Sequence, residues 1–289
     1  MNYIPTLFGC SAGGSGQIVV TGVPYDRSTC SNRAGSAAAP AHLRLLSSPE
    51  QFRLKSGNMF DLALKNKIFS GDVLSDIGNI GFRQNLMNDD EYLNLISKSM
   101  EVICREKKKP LVLGGDHLST LAILRGLRQA GAKFQVIHLD AHSDYDFLQF
   151  NERPTHASFM KCVVDESLSA QVLQMGVRGI SSSNAIQVEA IRIISCMELR
   201  DCLIPNLDVY LTIDTDAFDP AIMPAVSYPV PEGLPFSALA EVLSIVKSMN
   251  LDILGADWME YNPTYDTKNN ITGQYILSGL ASIIKCMIK

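Results

Sequence analysis

The sequence predicts an α/β protein built on one large, mostly parallel β-sheet covered by helices, and three observations support this class. The 289-residue chain is 46% hydrophobic and 19% charged, as in a globular protein with a sizeable core. Short apolar runs rich in β-branched residues recur along it, which is typical of strands buried on both faces. Amphipathic segments of helical length lie between these runs. We expect one domain over residues 1–289, because no repeat or linker divides the chain.

Eight segments of four to seven residues show the run of apolar and β-branched side chains that predicts a buried strand. They are Gln17–Gly22, Val73–Ile77, Pro110–Leu113, Phe134–Leu139, Gln171–Val177, Ile191–Ser195, Asp208–Ile213 and Leu251–Ala256. Eight strands are also compatible with a closed barrel, so the number of strands does not decide the topology.

Four segments are predicted to be helices. The clearest is Asp89–Arg105, which opens with acidic residues and repeats apolar residues at the spacing of one helix face. Ser119–Ala130, Ser237–Met249 and Thr272–Met287 show a similar pattern. Strands and helices therefore alternate along the chain, as an α/β fold requires.

The charge balance and the N-terminus exclude several classes of protein. The formal net charge is −5, whereas nucleic-acid and anionic-membrane partners require a basic face, so we expect neither partner. No apolar stretch approaches the ~20 residues of a membrane span. The first ten residues lack the pattern of a signal peptide. The seven scattered cysteines form no CxxC pair, and we expect them to be reduced in a cytoplasmic protein.

Three of the predicted strands end in residues that commonly bind metals. GGDH at 114–117 follows one strand, DAHSD at 140–144 follows another, and DTDAFDP at 214–220 follows a third. Functional residues of α/β sheets lie just beyond the carboxyl ends of the strands, so we expect these segments to meet at one edge. One acidic segment alone would indicate a helix cap or a solvated loop, but three together predict a metal site.

Alternate-residue spacing selects the side chains that face this site. Residues two apart on an extended backbone point the same way, so Asp140, His142 and Asp144 can face one point. Asp214 and Asp216 share that relation. Clustered carboxylates repel one another unless cations neutralise them. The predicted metal ligands are His117, Asp140, His142, Asp144, Asp214 and Asp216.

The chemistry of this ligand set predicts two divalent ions. It contains two imidazoles and no thiolate, which favours a hard or borderline ion such as Mn²⁺ over a structural zinc. Six ligands exceed what one catalytic ion needs, because such an ion keeps an open position. The six ligands suffice if two ions about 3.5–4 Å apart share them, and two such ions would jointly lower the pKa of a bridging water toward neutrality.

The residues resemble the ureohydrolase (arginase/agmatinase) family, whose members hydrolyse guanidino or formimino groups at a binuclear manganese centre. The resemblance spans nearly the whole chain and is nearest to the agmatinase-like branch. The segments that carry it are GVPYDRSTCSNRAGSAAAPAHLR at 22–44, SDIGNI at 75–80, GGDH at 114–117, HLDAHSD at 138–144, TIDTDAFDPAIMP at 212–224 and MEYNPTYD at 259–266. It implies a three-layer α/β/α arginase-like fold with a central, mostly parallel eight-stranded sheet.

The resemblance also assigns roles to individual residues. One Mn²⁺ would be held by His117, Asp140, Asp144 and Asp214, and a second by Asp140, His142, Asp214 and Asp216. His156 would protonate the departing amine, Glu260 would hold the guanidinium, and Asp144 would accept a proton from the attacking water. His138 and His42 are expected to be structural. Family members commonly form trimers or hexamers, so a homo-oligomer is expected.

The loops around the site bear on the substrate. The segment GVRGISSS at 176–183 matches the agmatinase-like pattern and lacks the aspartate with which arginases hold the α-amino group. Asp146 stands where arginases carry an asparagine for the α-carboxylate, and a second carboxylate there would repel that group. We therefore expect a small cationic guanidino substrate such as agmatine, contacted by Glu260, Asp146 and His156. A solvated loop acid is an equally good interpretation of Asp146.

The chain departs from the family pattern at three points, and other functions stay open. Ala157 stands where the family has glycine, the segment 225–233 lacks the usual glycines, and Thr215 replaces an aliphatic residue. A hydrolase of 4-guanidinobutyrate, formiminoglutamate or guanidine is one alternative, with Arg153 as the nearby cation for an acidic substrate. The others are a catalytically silent subunit of the same fold and a single-zinc deacetylase, although the retained ligand set disfavours both.

Overall fold

The computed structural model shows helices on both sides of a central β-sheet. It describes residues 5–27, 33–48, 59–61, 66–69, 73–81, 87–145, 153–179, 188–267 and 269–288. The strands are β1 (Ser11–Ala12), β2 (Ile18–Gly22), β3 (Met59–Asp61), β4 (Asn66–Phe69), β5 (Leu74–Asn79), β6 (Lys109–Leu113), β7 (Gln135–Leu139), β8 (Val172–Met175), β9 (Ile191–Ile193), β10 (Val209–Asp214) and β11 (Ile253–Met259). The helices are α1 (Ala39–Leu46), α2 (Asp89–Arg105), α3 (Leu118–Gln129), α4 (Phe159–Asp165), α5 (Leu199–Cys202), α6 (Ser237–Ser248) and α7 (Ile271–Met287).

Within the described ranges, nine strands form one open sheet in the order β1-β5-β2-β6-β11-β10-β7-β8-β9. Every pairing that the structure describes in this sheet is parallel. Eight of its strands overlap the eight predicted segments, which confirms the α/β class and rules out the barrel. The expected number of eight strands was one too few, because β1 has only two residues and shows no strand pattern. Strands β3 and β4 form a separate antiparallel pair.

Apolar side chains alternate between the two faces of the sheet and build two cores. Along β6, Leu111 and Leu113 belong to one core and Val112 belongs to the other. Helices α1, α5, α6 and α7 cover the first core, whereas α2, α3 and α4 cover the second. Because both faces are buried, the strand sequences are almost continuously apolar. The three-layer arrangement is thus the one expected from the sequence.

The four predicted helices are present, with ends within one residue of those expected. Helix α2 begins where its sequence indicates, because Asn88 and Glu91 form a reciprocal capping box. The Asn88 side chain accepts a hydrogen bond from Glu91 N at 2.9 Å, and the Glu91 carboxylate accepts one from Asn88 N at 2.8 Å. In the described part of the chain, no helix combines the length and the apolar character that crossing a membrane requires.

The predicted site lies at the carboxyl edge of four neighbouring central strands. Strands β6, β11, β10 and β7 are consecutive in the sheet. Leu113 pairs with Trp258, and Ile213 pairs with Leu139, so neighbouring strands end at nearly the same level. The segments that leave these strands therefore start side by side, which is the convergence that the sequence predicts.

Candidate metal centre

Three of the four central strands deliver a predicted metal ligand as they end, and the fourth, β11, is followed by Glu260. His117 follows β6 and directly precedes α3, Asp140 follows β7, and Asp214 is the last residue of β10. The turn before His117 requires glycine, because a Cβ at Gly115 would lie 1.8 Å from the carbonyl oxygen of Tyr25. The GGDH segment therefore brings His117 to the sheet edge by a close backbone approach that a side chain would block.

The Nδ1 atom of His117 faces three carboxylates. It lies 3.0 Å from Asp140 Oδ2, 3.2 Å from Asp214 Oδ2 and 3.5 Å from Asp144 Oδ2. All four side chains are buried. One imidazole nitrogen and three carboxylate oxygens at these separations form a donor set that could hold a divalent ion. These are the four residues expected at the first ion.

A second group of donors shares Asp140 with the first. His142 Nδ1 lies 3.0 Å from Asp216 Oδ2 and 3.6 Å from Asp140 Oδ1. The two oxygens of Asp140 thus face different imidazoles, as those of a bridging carboxylate would. The His142 side chain is 42% exposed, whereas those of the other five predicted ligands are at most 7% exposed. The cluster therefore opens to solvent beside His142.

The pKa values of His117, His142 and Asp144 are raised, which indicates a negative electrostatic potential in the cluster. Burial lowers the pKa of His117, but hydrogen bonding and charge from Asp140 outweigh it and raise the value to about 9. Burial also lowers the pKa of His142, but hydrogen bonds and charge from Asp140 and Asp216 outweigh this effect and raise the value to about 12. Burial raises the pKa of Asp144 well above its usual range, and the Asp140 carboxylate adds to the effect. The cluster thus carries an excess of negative charge that cations would neutralise.

Behind His117 lies a buried carboxylate that the sequence patterns did not single out. Thr212 Oγ1 lies 2.8 Å from His117 Nε2 and donates to Asp257 Oδ1 at 2.6 Å. The Asp257 carboxylate also accepts hydrogen bonds from the hydroxyls of Tyr210 and Thr120, at 2.7 and 3.0 Å. The signal that could have found Asp257 is its place in the apolar strand β11, since a buried charge needs partners.

His138, which we expected to be structural, contacts the cluster directly. Its Nε2 lies 2.8 Å from Asp140 Oδ2, and its Nδ1 lies 3.0 Å from the side-chain amide of Gln174. A ligand atom of His138 also lies within 4.8 Å of those of His117, Asp140 and Asp144. Both ring nitrogens have protein partners, so we interpret His138 as a residue that orients Asp140. His42 lies away from the cluster, with its Nε2 3.2 Å from Asn270 Oδ1.

The Glu260 side chain lies beside the cluster, at the end of β11. Its Oε1 accepts a hydrogen bond from the backbone N of His117 at 3.0 Å. Its backbone has a φ of 60°, in the left-handed region, and its N–H donates to the carbonyl of Gly115 at 2.9 Å. Burial raises the pKa of Glu260 well above its usual range, and the carboxylates of Asp214 and Asp116 raise it further. A cation beside Glu260 would stabilise its charged form.

His156 reaches the cluster through an aromatic neighbour, Tyr228. The two rings are stacked, with centroids 6.0 Å apart and an interplanar angle of 19°. The same Tyr228 ring lies 6.4 Å from the His142 ring at 83°. His156 is half-buried and thus lies one ring away from a predicted ligand, on the open side of the cluster. The contact of Tyr228 with both histidines was not predicted.

The model of the arginase family matches residues 16–285. The chain belongs to the arginase family. Its members are metal-dependent hydrolases that act on guanidino C–N bonds, so this arginase-family chain is a hydrolase. The family assignment agrees with the resemblance seen in the sequence, and the His/Asp cluster is a place where this chain could bind its metal.

Individual relatives of this arginase-family chain differ in substrate. A mitochondrial arginase from Arabidopsis thaliana is 34% identical over 218 residues, which are 69% of this chain and 62%, less than two thirds, of that protein. An agmatinase from Blochmanniella floridana is 32% identical over 263 residues, covering 86% of this chain and 81% of that protein. The solved structure of a proclavaminate amidino hydrolase from Streptomyces clavuligerus has a TM-score of 0.81 and 27% identity, covering 99% of this chain and 97% of that one. Similarity at this level does not fix the substrate.

The structure describes only part of the sequence features in which this arginase-family chain departs from arginases or from the family pattern. Asp146 and the segment 180–187 lie outside the described residues, so the expected contact of Asp146 with substrate stays a prediction. Thr215, between the two ligand aspartates, is accommodated by hydrogen bonds. Its hydroxyl donates to Met259 O at 2.7 Å and accepts from Trp258 Nε1 at 3.1 Å. This departure therefore lies behind the cluster and leaves Asp214 and Asp216 in place.

Arg178 ties two loops together at the edge of the site. Its guanidinium donates to the carbonyls of Asp216 and Ala217, at 2.8 and 3.1 Å. It also donates to those of Val230 and Pro231, at 2.7 and 3.0 Å. Asp216 and Ala217 follow β10, whereas Val230 and Pro231 lie in the loop that carries Tyr228. Arg178 thus fixes that loop relative to the predicted ligands.

Proposed function

We propose that the chain is a manganese-dependent amidinohydrolase that cleaves a guanidino C–N bond of a small cationic compound such as agmatine, releasing urea. One observation carries this proposal. Two groups of nitrogen and oxygen donors, one around His117 and one around His142, share Asp140 at the carboxyl edge of the sheet. Such a shared carboxylate is what a pair of divalent ions requires.

The donor set fits Mn²⁺ in type and in number. Carboxylate oxygens and imidazole nitrogens suit Mn²⁺, and the predicted set contains no thiolate. Six donors are enough for two ions that each keep an open position if Asp140 and, as the family resemblance implies, Asp214 are shared, which supports two Mn²⁺ per chain. When bound, such ions supply positive charge and lower the pKa of water. The predicted ligands are His117, Asp140, His142, Asp144, Asp214 and Asp216.

Glu260 is proposed to hold the substrate guanidinium. A carboxylate pairs with the planar, multiply donating guanidinium in a fixed orientation. The left-handed backbone of Glu260 and the hydrogen bond from His117 N fix the carboxylate next to the cluster. A guanidinium bound there has its central carbon close to the donors of the metal centre. The role of Glu260 is therefore to position the carbon that water attacks.

Two residues are proposed to move protons during the reaction. The Asp144 carboxylate, which lies 3.5 Å from His117 Nδ1 and is buried, would accept a proton from the attacking water. His156 lies on the solvent side, stacked on Tyr228, and its ring would give a proton to the departing nitrogen. Asp144 and His156 therefore act from the closed and the open side of the cluster respectively.

Agmatine fits better than arginine because of charge. The Asp146 carboxylate would repel the α-carboxylate of arginine and would attract the distal ammonium of agmatine. The formal net charge of −5 points the same way, since it favours approach of cations.

A substrate screen with matched variants tests the proposal. The purified protein, loaded with Mn²⁺, is given agmatine, arginine, 4-guanidinobutyrate, formiminoglutamate or guanidine, and release of urea, ammonia or formamide is measured. We expect urea from agmatine, with loss of activity and of bound metal in Asp144→Ala and His142→Ala. Asp165→Ala and His42→Ala remove an exposed acid and a remote histidine, and both should behave as wild type. No product from any compound would refute the proposal.

Assembly and location stay predictions. The homo-oligomer expected from the resemblance, a trimer or a hexamer, is tested by light scattering of the purified chain. The cytoplasmic location is tested by fractionation of cells that express the chain.

A further inference from the structure

The segment that follows the third metal motif changes abruptly from buried to exposed at an aromatic residue. Ala225, Val226 and Ser227 are buried, and Tyr228 after them is 39% exposed. An exposed tyrosine on a surface loop would be ordinary, but this one lies against two functional candidates. Its ring stacks on His156 and meets His142 edge-on, at centroid distances of 6.0 and 6.4 Å. Tyr228 therefore lines the side on which the cluster opens to solvent.

The backbone before Tyr228 is held in place by hydrogen bonds to Arg33 and Asn262. Ser227 Oγ donates to the carbonyl of Arg33 at 2.9 Å, and Arg33 Nη1 donates to the carbonyl of Ser227 at 3.0 Å. The side-chain amide of Asn262 also donates to the Arg33 carbonyl, at 2.8 Å, and Asn262 N donates to the carbonyl of Ala225 at 2.9 Å. Asn262 follows two residues after Glu260, so the loop of the tyrosine is tied to the loop that carries the guanidinium-binding candidate.

The backbone after Tyr228 is held as well. Pro229 and Pro231 restrict its dihedral angles, and Arg178 binds the carbonyls of Val230 and Pro231. A ring fixed on both sides loses little freedom when a ligand packs against it, so it can contribute to affinity at low entropic cost. The fold thus presents a pre-organised aromatic surface at the opening of the site.

We propose that Tyr228 is a specificity-determining residue that contacts the non-reacting end of the substrate and selects a cationic end over a carboxylate. This inference rests on the proposed function. One face of the ring is stacked on His156, and 39% of the residue stays exposed on the side where the cluster opens to solvent. The face of an aromatic ring attracts an ammonium and gives a carboxylate no such attraction. A guanidinium held at Glu260 would therefore extend its far end past Tyr228.

Three substrates of similar length separate charge from shape. Agmatine, 4-guanidinobutyrate and n-butylguanidine carry the same reacting group and end in an ammonium, a carboxylate and a methyl group. Steady-state kinetics are measured on the Mn²⁺-loaded wild type, Tyr228→Leu and Tyr228→Phe. Tyr265→Leu is the matched control, because Tyr265 is 43% exposed and lies in another loop. Thermal melting and metal content of each variant establish that it is folded and loaded.

We expect Tyr228→Leu to lower the preference for agmatine over n-butylguanidine by about 2- to 30-fold, mainly through KM. Tyr228→Phe keeps its π face and should keep the preference, and Tyr265→Leu should not change it. An equal change in KM for all three substrates would overturn the proposal, because Tyr228 would then act through its shape alone. An unchanged preference in Tyr228→Leu would overturn it as well. If the wild type releases urea from none of the compounds, the proposed function fails. The same comparison by calorimetric binding of agmatine and 4-guanidinobutyrate then decides the role of Tyr228.

Discussion

Replacing Thr212 by valine removes one hydroxyl from behind the His117 ring and keeps the β-branched outline of the side chain. That hydroxyl has a single proton, which it donates to Asp257 Oδ1 at 2.6 Å. It can therefore only accept from His117 Nε2, which lies 2.8 Å away. This fixes the tautomer of His117 with the proton on Nε2. In the metal-free protein Nδ1 also carries a proton, because it faces the carboxylates of Asp140, Asp144 and Asp214. A cation that displaces this proton would find the Nδ1 lone pair directed at the cluster.

The size of the effect follows from the groups that lose a partner. In Thr212→Val the buried His117 Nε2–H has no acceptor, and an unmet buried donor costs about 1–3 kcal/mol. Partners that orient a metal-binding histidine are typically worth about 10- to 100-fold in metal affinity, which corresponds to about 1.4–2.8 kcal/mol. The two figures agree, so we expect Thr212→Val to weaken Mn²⁺ binding by about 10- to 100-fold.

Calorimetric titration of the metal-stripped protein with Mn²⁺ measures this effect. Thr212→Ser retains the hydroxyl and serves as the matched control, with a smaller loss of affinity than valine. The reasoning is refuted if valine binds Mn²⁺ as tightly as the wild type. It is also refuted if serine loses as much affinity as valine, since the hydroxyl would then not be the important group.

Three other outcomes are expected. The pKa of His117 is raised to about 9 in the folded protein, from about 6.5 in the unfolded chain. Protonation of His117 therefore stabilises the folded metal-free protein fully below about pH 6.5, and this stabilisation is lost as the pH rises toward 9. The melting temperature of metal-stripped protein should fall over that range, and a flat profile would contradict the assignment. Gly115→Ala should lower the free energy of unfolding by about 1–3 kcal/mol, because its Cβ meets Tyr25 O at 1.8 Å. Urea denaturation checks this, and an unchanged midpoint would count against it. Arg178→Lys loses the planar fork, so hydrogen exchange in the 217–231 loop should accelerate, whereas unchanged exchange would show that the clamp is dispensable.

The fold was predictable because the sheet is parallel and covered on both faces. Such strands have apolar residues at nearly every position, and each lies between segments with helical periodicity. Strand β1 escaped prediction because two residues cannot show a period. The prediction ended strand β11 at Ala256 because Asp257 interrupts the apolar run. The strand continues to Met259, since three hydroxyls donate hydrogen bonds to the buried Asp257 carboxylate.

The side chains of the cluster were predictable for a different reason. Spacing of two on extended backbone, placed at strand ends, determines which residues face the same point. The partners behind and beside them depend on tertiary contacts between distant segments, which local spacing does not encode. Asp257 reaches His117 through Thr212 on the neighbouring strand, and Tyr228 meets His156 across a loop. The expected structural role of His138 stays a prediction, and its hydrogen bond to Asp140 at 2.8 Å fits a residue that orients a ligand.

Anomalous diffraction at the manganese edge from crystals grown with Mn²⁺ tests the central claim most directly. The account predicts two peaks about 3.5–4 Å apart, one beside His117 and one beside His142, with the Asp140 carboxylate between them. No peak at this edge of the sheet, or a single peak that does not contact Asp140, would contradict it.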